Sequence, residues 1–209
     1  MKRGSALDRQ VAFIREMDRL KSVFRRTLLM DASRYENDAE HSWHIAIMAM
    51  VLSEHATGRR LDLLRVIEML LLHDIVEIDA GDTFCYDERG RIGQVARERK
   101  GARRIFGLLP PRQARVLKGL WEEFTARRTP EARFAAALDR LQPILHNVAT
   151  RGAAWRRFGV TREKVIQRNR HIEEGAPALW KLAHGMIERA AARGYLPRGT
   201  KRPSASRVN

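Results

Sequence analysis

Apolar residues recur at helical spacing along most of the 209-residue chain, and no segment alternates between apolar and polar positions as a half-buried strand would. The pattern therefore predicts an all-α fold. We expect helices over residues 7–25, 39–56, 62–72 and 92–106, one from Pro111, one over 129–149, and shorter ones over 161–170 and 177–193. The helix over 62–72 is apolar on nearly all sides, so we expect it to be buried.

Capping signals mark where several of these helices begin. Asn37 or Asp38 can cap the second helix and Asp62 the third, because short polar side chains accept hydrogen bonds from free backbone N–H groups. Thr129 followed by Pro130 is a strong start signal for a long helix. Local chemistry and periodicity therefore predict the same boundaries.

The stretches between helices divide the chain into one domain and a tail. Residues 28–35 are expected to form a loop, and residues 84–90 an irregular, mobile segment that could act as a lid. From residue 196 onward the chain is rich in Arg, Pro, Ser and Gly, which is typical of disorder. We predict a single domain over residues 1–195 and a basic, disordered tail over 196–209.

Charge is distributed unevenly along the chain, whose formal net charge is +15. Residues 1–90 hold 13 Lys and Arg against 16 Asp and Glu, whereas residues 91–209 hold 27 against 9. A basic half could attract nucleic acid or phosphorylated small molecules. A solvated basic surface is favoured, because the arginines are dispersed through amphipathic helices and no nucleic-acid-binding motif accompanies them.

Cys85 is the only cysteine, so no intrachain disulfide or cysteine zinc site can form. No segment approaches 18 uninterrupted apolar residues, and the first ten residues lack the apolar region of a secretory signal. We therefore expect a cytoplasmic protein without a membrane segment.

The densest chemistry lies in residues 71–82, where an apolar helix ends in histidine and carboxylate side chains. His73 and Glu77 are four residues apart and would share one helical face, with Asp74 beside them. Histidine and carboxylate oxygens suit borderline divalent metal ions. Because this helix is expected to be buried, charged groups there need a partner or a metal.

Other candidate side chains are ambiguous when taken alone. His41 lies in the first turn of the second helix, where a lone histidine is more often structural than a ligand. Asp139 is set among small and apolar residues, so it is either paired with an arginine or bound to a metal. Arg25 and Arg26 fall at the predicted end of the first helix, where cationic side chains suit the helix dipole.

Taken together, His41, the pair His73-Asp74 and the distant Asp139 form an H…HD…D pattern that resembles the HD-domain superfamily of metal-dependent phosphohydrolases. The spacing from His73 through Glu77 to Asp82 is similar to that of the bacterial 5'-deoxynucleotidase branch, as are the strings Glu36-Asn37 and Glu40-His41-Ser42. The resemblance covers roughly residues 7 to 195. It implies an all-helical HD-domain bundle in which His41, His73, Asp74 and Asp139 hold a buried divalent metal ion.

The same resemblance implies roles for three further residues. Glu77 matches the general acid/base of the family, Arg26 an arginine that contacts the substrate phosphate, and Asp82 an acid that meets the sugar 3'-hydroxyl. A guanidinium fork suits a phosphate chemically. Thr27 departs from the pattern, because the bacterial enzymes carry a tryptophan there against the substrate.

The number of metal ions also follows from the pattern. Some HD enzymes that cleave phosphodiesters use two metals and add histidines between the HD pair and the last aspartate. No histidine lies between Asp74 and Asp139 in this chain. We therefore expect one divalent ion, whether Mn, Co, Mg, Ni, Fe or Zn, and the resemblance also implies a homodimer.

The function predicted on these grounds is a metal-dependent phosphomonoesterase that hydrolyses (deoxy)nucleoside 5'-monophosphates to nucleoside and phosphate. Its partner would be a small-molecule nucleotide, with no nucleic acid and no membrane. Two alternatives stay open. One is a nucleoside triphosphate hydrolase of the same fold, and the other is a non-catalytic basic helical module that binds nucleic acid.

Overall fold

The computed structural model describes residues 5–58 and 60–197. Within these ranges the chain is a helical bundle with one two-stranded antiparallel hairpin, formed by β1 (Phe24–Leu28) and β2 (Tyr35–Asn37). The helices are α1 (Ala6–Met17), α2 (Asp38–Leu52), α3 (Leu63–Leu72), α4 (Glu77–Ala80), α5 (Gln94–Phe106), α6 (Pro111–Ala126), α7 (Pro130–Ala149), α8 (Ala153–Arg157), α9 (Arg162–Asn169), α10 (Ile172–Gly175) and α11 (Pro177–Ala192).

Helix α7 is the centre of the bundle and packs against α2, α3, α6, α10 and α11. Thr129 caps it by accepting a hydrogen bond from the Ala132 N–H, and Pro130 occupies its first turn. Most of its side chains are buried in the larger of two hydrophobic clusters, which includes Phe134, Leu138 and Leu141. A helix buried on most sides can hold a carboxylate only where other groups compensate its charge.

A second, smaller hydrophobic cluster lies beside the first and contains Phe13, Ile75, Val76, Phe106 and Trp121. Helix α3 belongs to the larger cluster, whereas the residues directly after it belong to the smaller one. The turn that leaves α3 therefore crosses from one cluster to the other. His73 and Asp74, two of the candidate metal ligands, lie in this turn.

The main difference from the sequence prediction lies between residues 18 and 37. The first helix ends at Met17 and continues as a 3₁₀ turn over Asp18–Ser22, so it does not reach residue 25. The hairpin follows, and residues 28–35, predicted as a loop, hold its turn and strand ends. The strands are too short to show an alternating pattern, and each pairs with residues in a separate segment (Phe24 with Asn37, Leu28 with Tyr35), so periodicity could not reveal them.

Most other boundaries are as predicted. Asn37 caps α2, Asp62 caps α3 and Thr161 caps α9, each by accepting a hydrogen bond from a backbone N–H three residues on. Residues 153–157 form the short helix α8, which is not among the predicted helices. The helical-bundle prediction is confirmed.

The chain end is only partly described. Leu196, which the prediction placed in the tail, is buried in the larger cluster. Residues 198–209 lie outside the described ranges, so the disordered tail remains a prediction. None of the helices in the described part of the chain combines the length and hydropathy that a membrane crossing requires.

Candidate metal centre

The structure brings the four predicted metal ligands together from three helices. His41 lies in the first turn of α2, His73 and Asp74 directly follow α3, and Asp139 lies in the middle of α7. All four are buried. Asp139 Oδ1 is 3.2 Å from His41 Nε2 and 3.8 Å from His73 Nε2, and His73 Nε2 is 3.0 Å from Asp74 Oδ2.

Hydrogen bonds at the far side of each imidazole orient its Nε2 atom toward this centre. His73 Nδ1 donates to the Leu70 carbonyl oxygen at 2.8 Å. His41 Nδ1 donates to Gln142 Oε1 at 3.2 Å. Because both acceptors are carbonyl oxygens, each Nδ1 carries a proton, so each ring would coordinate a bound metal ion through Nε2.

The side chains fit a divalent metal ion chemically. His73 Nε2 is buried and has no hydrogen-bond partner, which is costly unless another group satisfies it. Two imidazoles and two carboxylates are suitable ligands for a borderline divalent cation and leave coordination positions for water and a phosphate oxygen.

The charges of these residues are strongly coupled. Burial alone would lower the pKa of His73, but Asp74 and Asp139 raise it to about 10. Burial would likewise raise the pKa of Asp139, but Arg140, His41 and His73 hold it well below its ordinary value. The positively charged groups at this centre therefore stabilise the carboxylates of Asp74 and Asp139 in their ionised form.

Arg25 also belongs to this centre, which the sequence analysis missed. Its side chain is only 12% exposed, and Nη1 donates to Asp74 Oδ2 at 2.6 Å and to Asp38 Oδ1 at 3.1 Å. Nη2 lies 3.9 Å from Asp139 Oδ1. The expectation that Arg25 is a charge at a helix end is wrong, because residue 25 lies in β1 and its side chain points inward.

Arg26, the next residue on β1, is exposed and points the other way, as alternation along a strand requires. Its guanidinium lies over the Phe158 ring, 5.5 Å from the ring centroid, and it lines the cavity next to the metal centre. Thr27 faces inward and is buried. The phosphate contact of Arg26 stays a prediction.

Glu77 begins α4 and forms a cluster of carboxylates with Asp74 and Asp38, in which one oxygen of each lies within 4.8 Å of the others. Burial, and then the charges of Asp74, Asp38 and Asp82, raise the pKa of Glu77 well above its ordinary value. Its Oε2 has no hydrogen-bond partner. Glu77 is therefore a buried carboxyl with a raised pKa beside the predicted metal ligands, which suits a proton carrier.

Asp38 was considered in the sequence only as a helix cap, yet it is fully buried beside Arg25. Burial and the neighbouring Asp74 raise its pKa to about 7. Asp82 lines the same cavity, and burial also raises its pKa. The Asp79 carboxylate accepts hydrogen bonds from Arg104 at 2.5 and 2.7 Å.

Behind His41 lies a second polar cluster that the sequence analysis did not identify. We call it the support network; it consists of Glu36, His44, Gln142 and His146. Gln142 Nε2 donates to Glu36 Oε1 at 2.5 Å and lies 2.9 Å from His146 Nε2. Gln142 thus connects His41 to three other polar side chains.

The metal centre opens into a cavity of about 200 Å³. Its polar lining includes Arg25, Arg26, Glu77 and Asp82. Its apolar lining includes the aromatic residues Phe84, Tyr86, Trp121, Phe124 and Trp155. A mixed lining of this kind can bind the polar and the ring-containing parts of one small molecule.

Comparison with known proteins agrees with this geometry. The proteins named 5'-deoxynucleotidase HDDC2 from Homo sapiens and Mus musculus are each 31% identical to this chain over 134 residues, or 64% of its length. The matched segment spans 64% of the human protein and 65% of the mouse protein, which is less than two thirds of each.

Solved structures extend the similarity over nearly the whole chain. A crystal structure from Magnetospirillum magnetotacticum, of a protein named a predicted metal-dependent phosphohydrolase, is 53% identical with a TM-score of 0.89. It covers 93% of this chain and 97% of that one. A Pyrococcus furiosus protein with 16% identity and a TM-score of 0.60, covering 87% of this chain and 99% of its own, shares the fold.

The family model described as the HD domain matches residues 17–180, which include all four predicted metal ligands, Glu77 and Asp82. This match extends over most of the 209 residues. The protein belongs to the HD-domain family.

Proposed function

We propose that the protein is a divalent-metal-dependent phosphomonoesterase that hydrolyses (deoxy)nucleoside 5'-monophosphates to nucleoside and phosphate. The observation that carries this proposal is the convergence of His41, His73, Asp74 and Asp139 at one end of a cavity that also contains Glu77. The names of the related proteins, 5'-deoxynucleotidase and metal-dependent phosphohydrolase, support the reaction class.

The four convergent side chains would hold the metal ion, whose identity stays open. When bound, a divalent ion supplies positive charge that polarises phosphorus and lowers the pKa of a water molecule. Arg25, held between Asp38 and Asp74, adds a fixed positive charge beside the same carboxylates. Arg26, at the cavity rim, would contact the substrate phosphate through its guanidinium.

Glu77 would move the proton that the reaction requires. Hydrolysis of a phosphomonoester takes a proton from water and delivers one to the departing 5'-oxygen. The raised pKa of Glu77 allows the protonated carboxyl to donate to that oxygen and the carboxylate to accept a proton afterwards. Asp82 lies in the same cavity and would accept a hydrogen bond from the sugar 3'-hydroxyl.

Phosphate release from a panel of deoxynucleoside and nucleoside 5'-monophosphates, with Mn, Co or Mg added, tests this function. We expect turnover by the wild-type protein and a loss of kcat of about 100-fold or more in Glu77→Gln. Glu88→Gln, which changes an exposed acid of the neighbouring loop, is the matched control and should retain full activity. Turnover of no nucleotide, or equal rates for Glu77→Gln and wild type, would contradict the proposal.

We also propose that the protein is a cytoplasmic homodimer. The support for a dimer is a set of exposed apolar side chains on one face of α2, at residues 43, 47, 50 and 51, spaced as one helical stripe. Trp43 is 64% exposed and Val51 67%. Clustered apolar exposure of this kind marks interaction surfaces in soluble proteins, and a second copy of the chain can bury it symmetrically.

Light scattering after size-exclusion chromatography measures the assembly. We expect twice the chain mass for the wild type and a monomer for Met50→Glu. Leu64→Glu places the same charge on an equally exposed leucine of α3 and should remain dimeric. A monomeric wild type, or dissociation by both substitutions alike, would refute this interface.

A further inference from the structure

Two arginines that the proposed reaction does not use also line the cavity. Arg140 follows Asp139 on α7, and Arg168 lies in the last turn of α9. We call these two side chains the arginine wall. Arg140 lies next to the predicted ligand Asp139, and both arginines border the cavity into which the metal centre opens.

Arg140 and Arg168 differ in whether a carboxylate of the protein pairs with their positive charge. Arg140 Nη2 pairs with Asp139 Oδ2 at 3.2 Å. Arg168 forms no ion pair with any residue of the ranges 5–58 and 60–197, and its Nε is buried without a hydrogen-bond partner. A buried guanidinium N–H without an acceptor is costly unless a ligand supplies one.

The neighbourhood of the wall is electropositive. Burial, and then the charge of Arg140, lower the pKa of Arg168. Burial, followed by the charges of Arg140 and Arg127, lowers the pKa of His171 to about 4. Burial and the nearby charge of Arg140 therefore act in the same direction on both basic groups.

Positive charge continues outward from Arg168. This residue also lines a shallower pocket next to the main cavity, together with Arg91 and Lys164. Glu88 is the only carboxylate among the described residues of that pocket. The charged side chains of this second pocket are therefore three cations and one carboxylate.

We propose that the arginine wall binds a second phosphoryl group of the substrate, distinct from the one that is hydrolysed. This inference rests on the proposed function, because it assumes that the first phosphate lies at the metal centre. Guanidinium groups match phosphate oxygens with paired hydrogen bonds, and Arg168 has an unused donor for them. The substrate class would then include nucleotides with two phosphoryl groups.

The second phosphoryl group can be joined to the first, as in a diphosphate, or carried elsewhere on the sugar. The chemistry that Arg168 recognises is the same in both cases. Inorganic pyrophosphate represents the joined arrangement, and adenosine 2',5'-bisphosphate represents the separated one and keeps the 3'-hydroxyl free for Asp82. Inorganic phosphate, with one group only, is the reference ligand.

Calorimetric titration of the full-length protein with these three ligands tests the proposal and needs no turnover. We expect Arg168→Gln to weaken the binding of pyrophosphate or of the bisphosphate about tenfold, and to change phosphate binding less than twofold. The ligand that loses affinity identifies the arrangement of the two groups. Equal losses for all three ligands, or no loss for any, would overturn the inference.

Arg170→Gln is the matched control, since Arg170 is an exposed arginine two residues further along that does not line the cavity. It should bind all three ligands as the wild type does. If Arg170→Gln lost the same affinity, general surface charge and not the arginine wall would bind phosphate, and the proposal would fail. Thermal melts of both variants check that each is folded. An enzyme without nucleotidase activity that still showed the Arg168 effect would refute the proposed function alone.

Discussion

The metal centre and the support network are two buried polar clusters that share one boundary, the bond between His41 and Gln142. Both contain histidine and carboxylate side chains. In each, three potential ligand atoms lie within 4.8 Å of one another: those of His41, His73 and Asp139 in the metal centre, and those of Glu36, His44 and His146 in the support network. By residue type and proximity alone, either could be a metal site.

Their hydrogen bonds distinguish them. In the support network, the amide of Gln142 donates to Glu36, and His146 Nδ1 donates to the Leu28 carbonyl oxygen at 2.8 Å. Glu36 Oε2 is the one unsatisfied atom there, 3.5 Å from His41 Nδ1. In the metal centre and the carboxylate cluster beside it, His73 Nε2 and Glu77 Oε2 both lack partners.

Histidines and carboxylates that lie close together therefore do not by themselves make a metal site. A cluster whose interior is filled by its own amide donor has no need of an ion. A cluster that has buried ligand atoms without partners, and carboxylates close to one another, is stabilised by a bound cation. We therefore place the ion in the metal centre. The support network, through Gln142, orients His41.

The largest effect should come from removing a ligand. His73→Asn deletes an imidazole whose Nε2 faces the metal centre, so we expect Mn²⁺ affinity to fall more than about 100-fold, beyond the usual cost of losing an outer partner. Calorimetry with Mn²⁺ measures this. His184→Gln, on a half-exposed histidine of α11, should bind Mn²⁺ normally. Unchanged affinity in His73→Asn would remove the basis for the assignment.

A smaller effect on metal affinity is expected at Gln142, where the two clusters meet. Gln142→Met keeps the side-chain length but removes the acceptor for His41 Nδ1 and the donor to Glu36. We expect Mn²⁺ affinity to fall about 10- to 100-fold, and the free energy of unfolding to fall by about 1–3 kcal/mol because buried groups lose partners. If stability fell while metal affinity did not, the support network would serve folding alone.

The crowding of carboxylates around Glu77 predicts a pH effect in the metal-free protein. The pKa of Glu77 is raised, so above its ordinary value of 4.5 the native state keeps a proton that the unfolded state releases. The free energy of unfolding should therefore fall as pH rises through that window. Glu77→Gln removes this contribution and should lower the slope, measured by urea denaturation in EDTA. Glu88→Gln should keep the wild-type slope; identical slopes in all three proteins would contradict the crowding.

The smallest effect should be at the outer edge of the support network. His44 is only partly buried, and its Nδ1 lies 3.4 Å from both Gln142 Nε2 and His146 Nε2. We expect His44→Gln to leave Mn²⁺ affinity and stoichiometry within about twofold of the wild type. Loss of a second bound ion on this substitution would show that the support network also holds metal.

Sequence reasoning could predict the parts of this centre that have a local signal. His73, Asp74 and Glu77 lie together in the chain, and Asn37 and Asp62 mark helix starts by their own side chains. His41 and Asp139 are ambiguous when taken alone, and the resemblance to a known family selects them as ligands.

The missed residues depend on contacts between distant segments. Arg25 enters the centre because its strand turns it inward, and a helix predicted over the same residues would have placed it elsewhere. Gln142 lies 101 residues from His41, so no local pattern links the two. Asp38 has an obvious local role as a helix-start residue, which concealed its contact with Arg25.

Anomalous diffraction from a crystal soaked in Mn²⁺ tests the distinction between the two clusters most directly. We expect one strong anomalous peak bounded by His41, His73, Asp74 and Asp139. No peak should appear among Glu36, His44 and His146. A peak inside the support network, or the absence of one at the metal centre in crystals with full Mn²⁺ access, would contradict it.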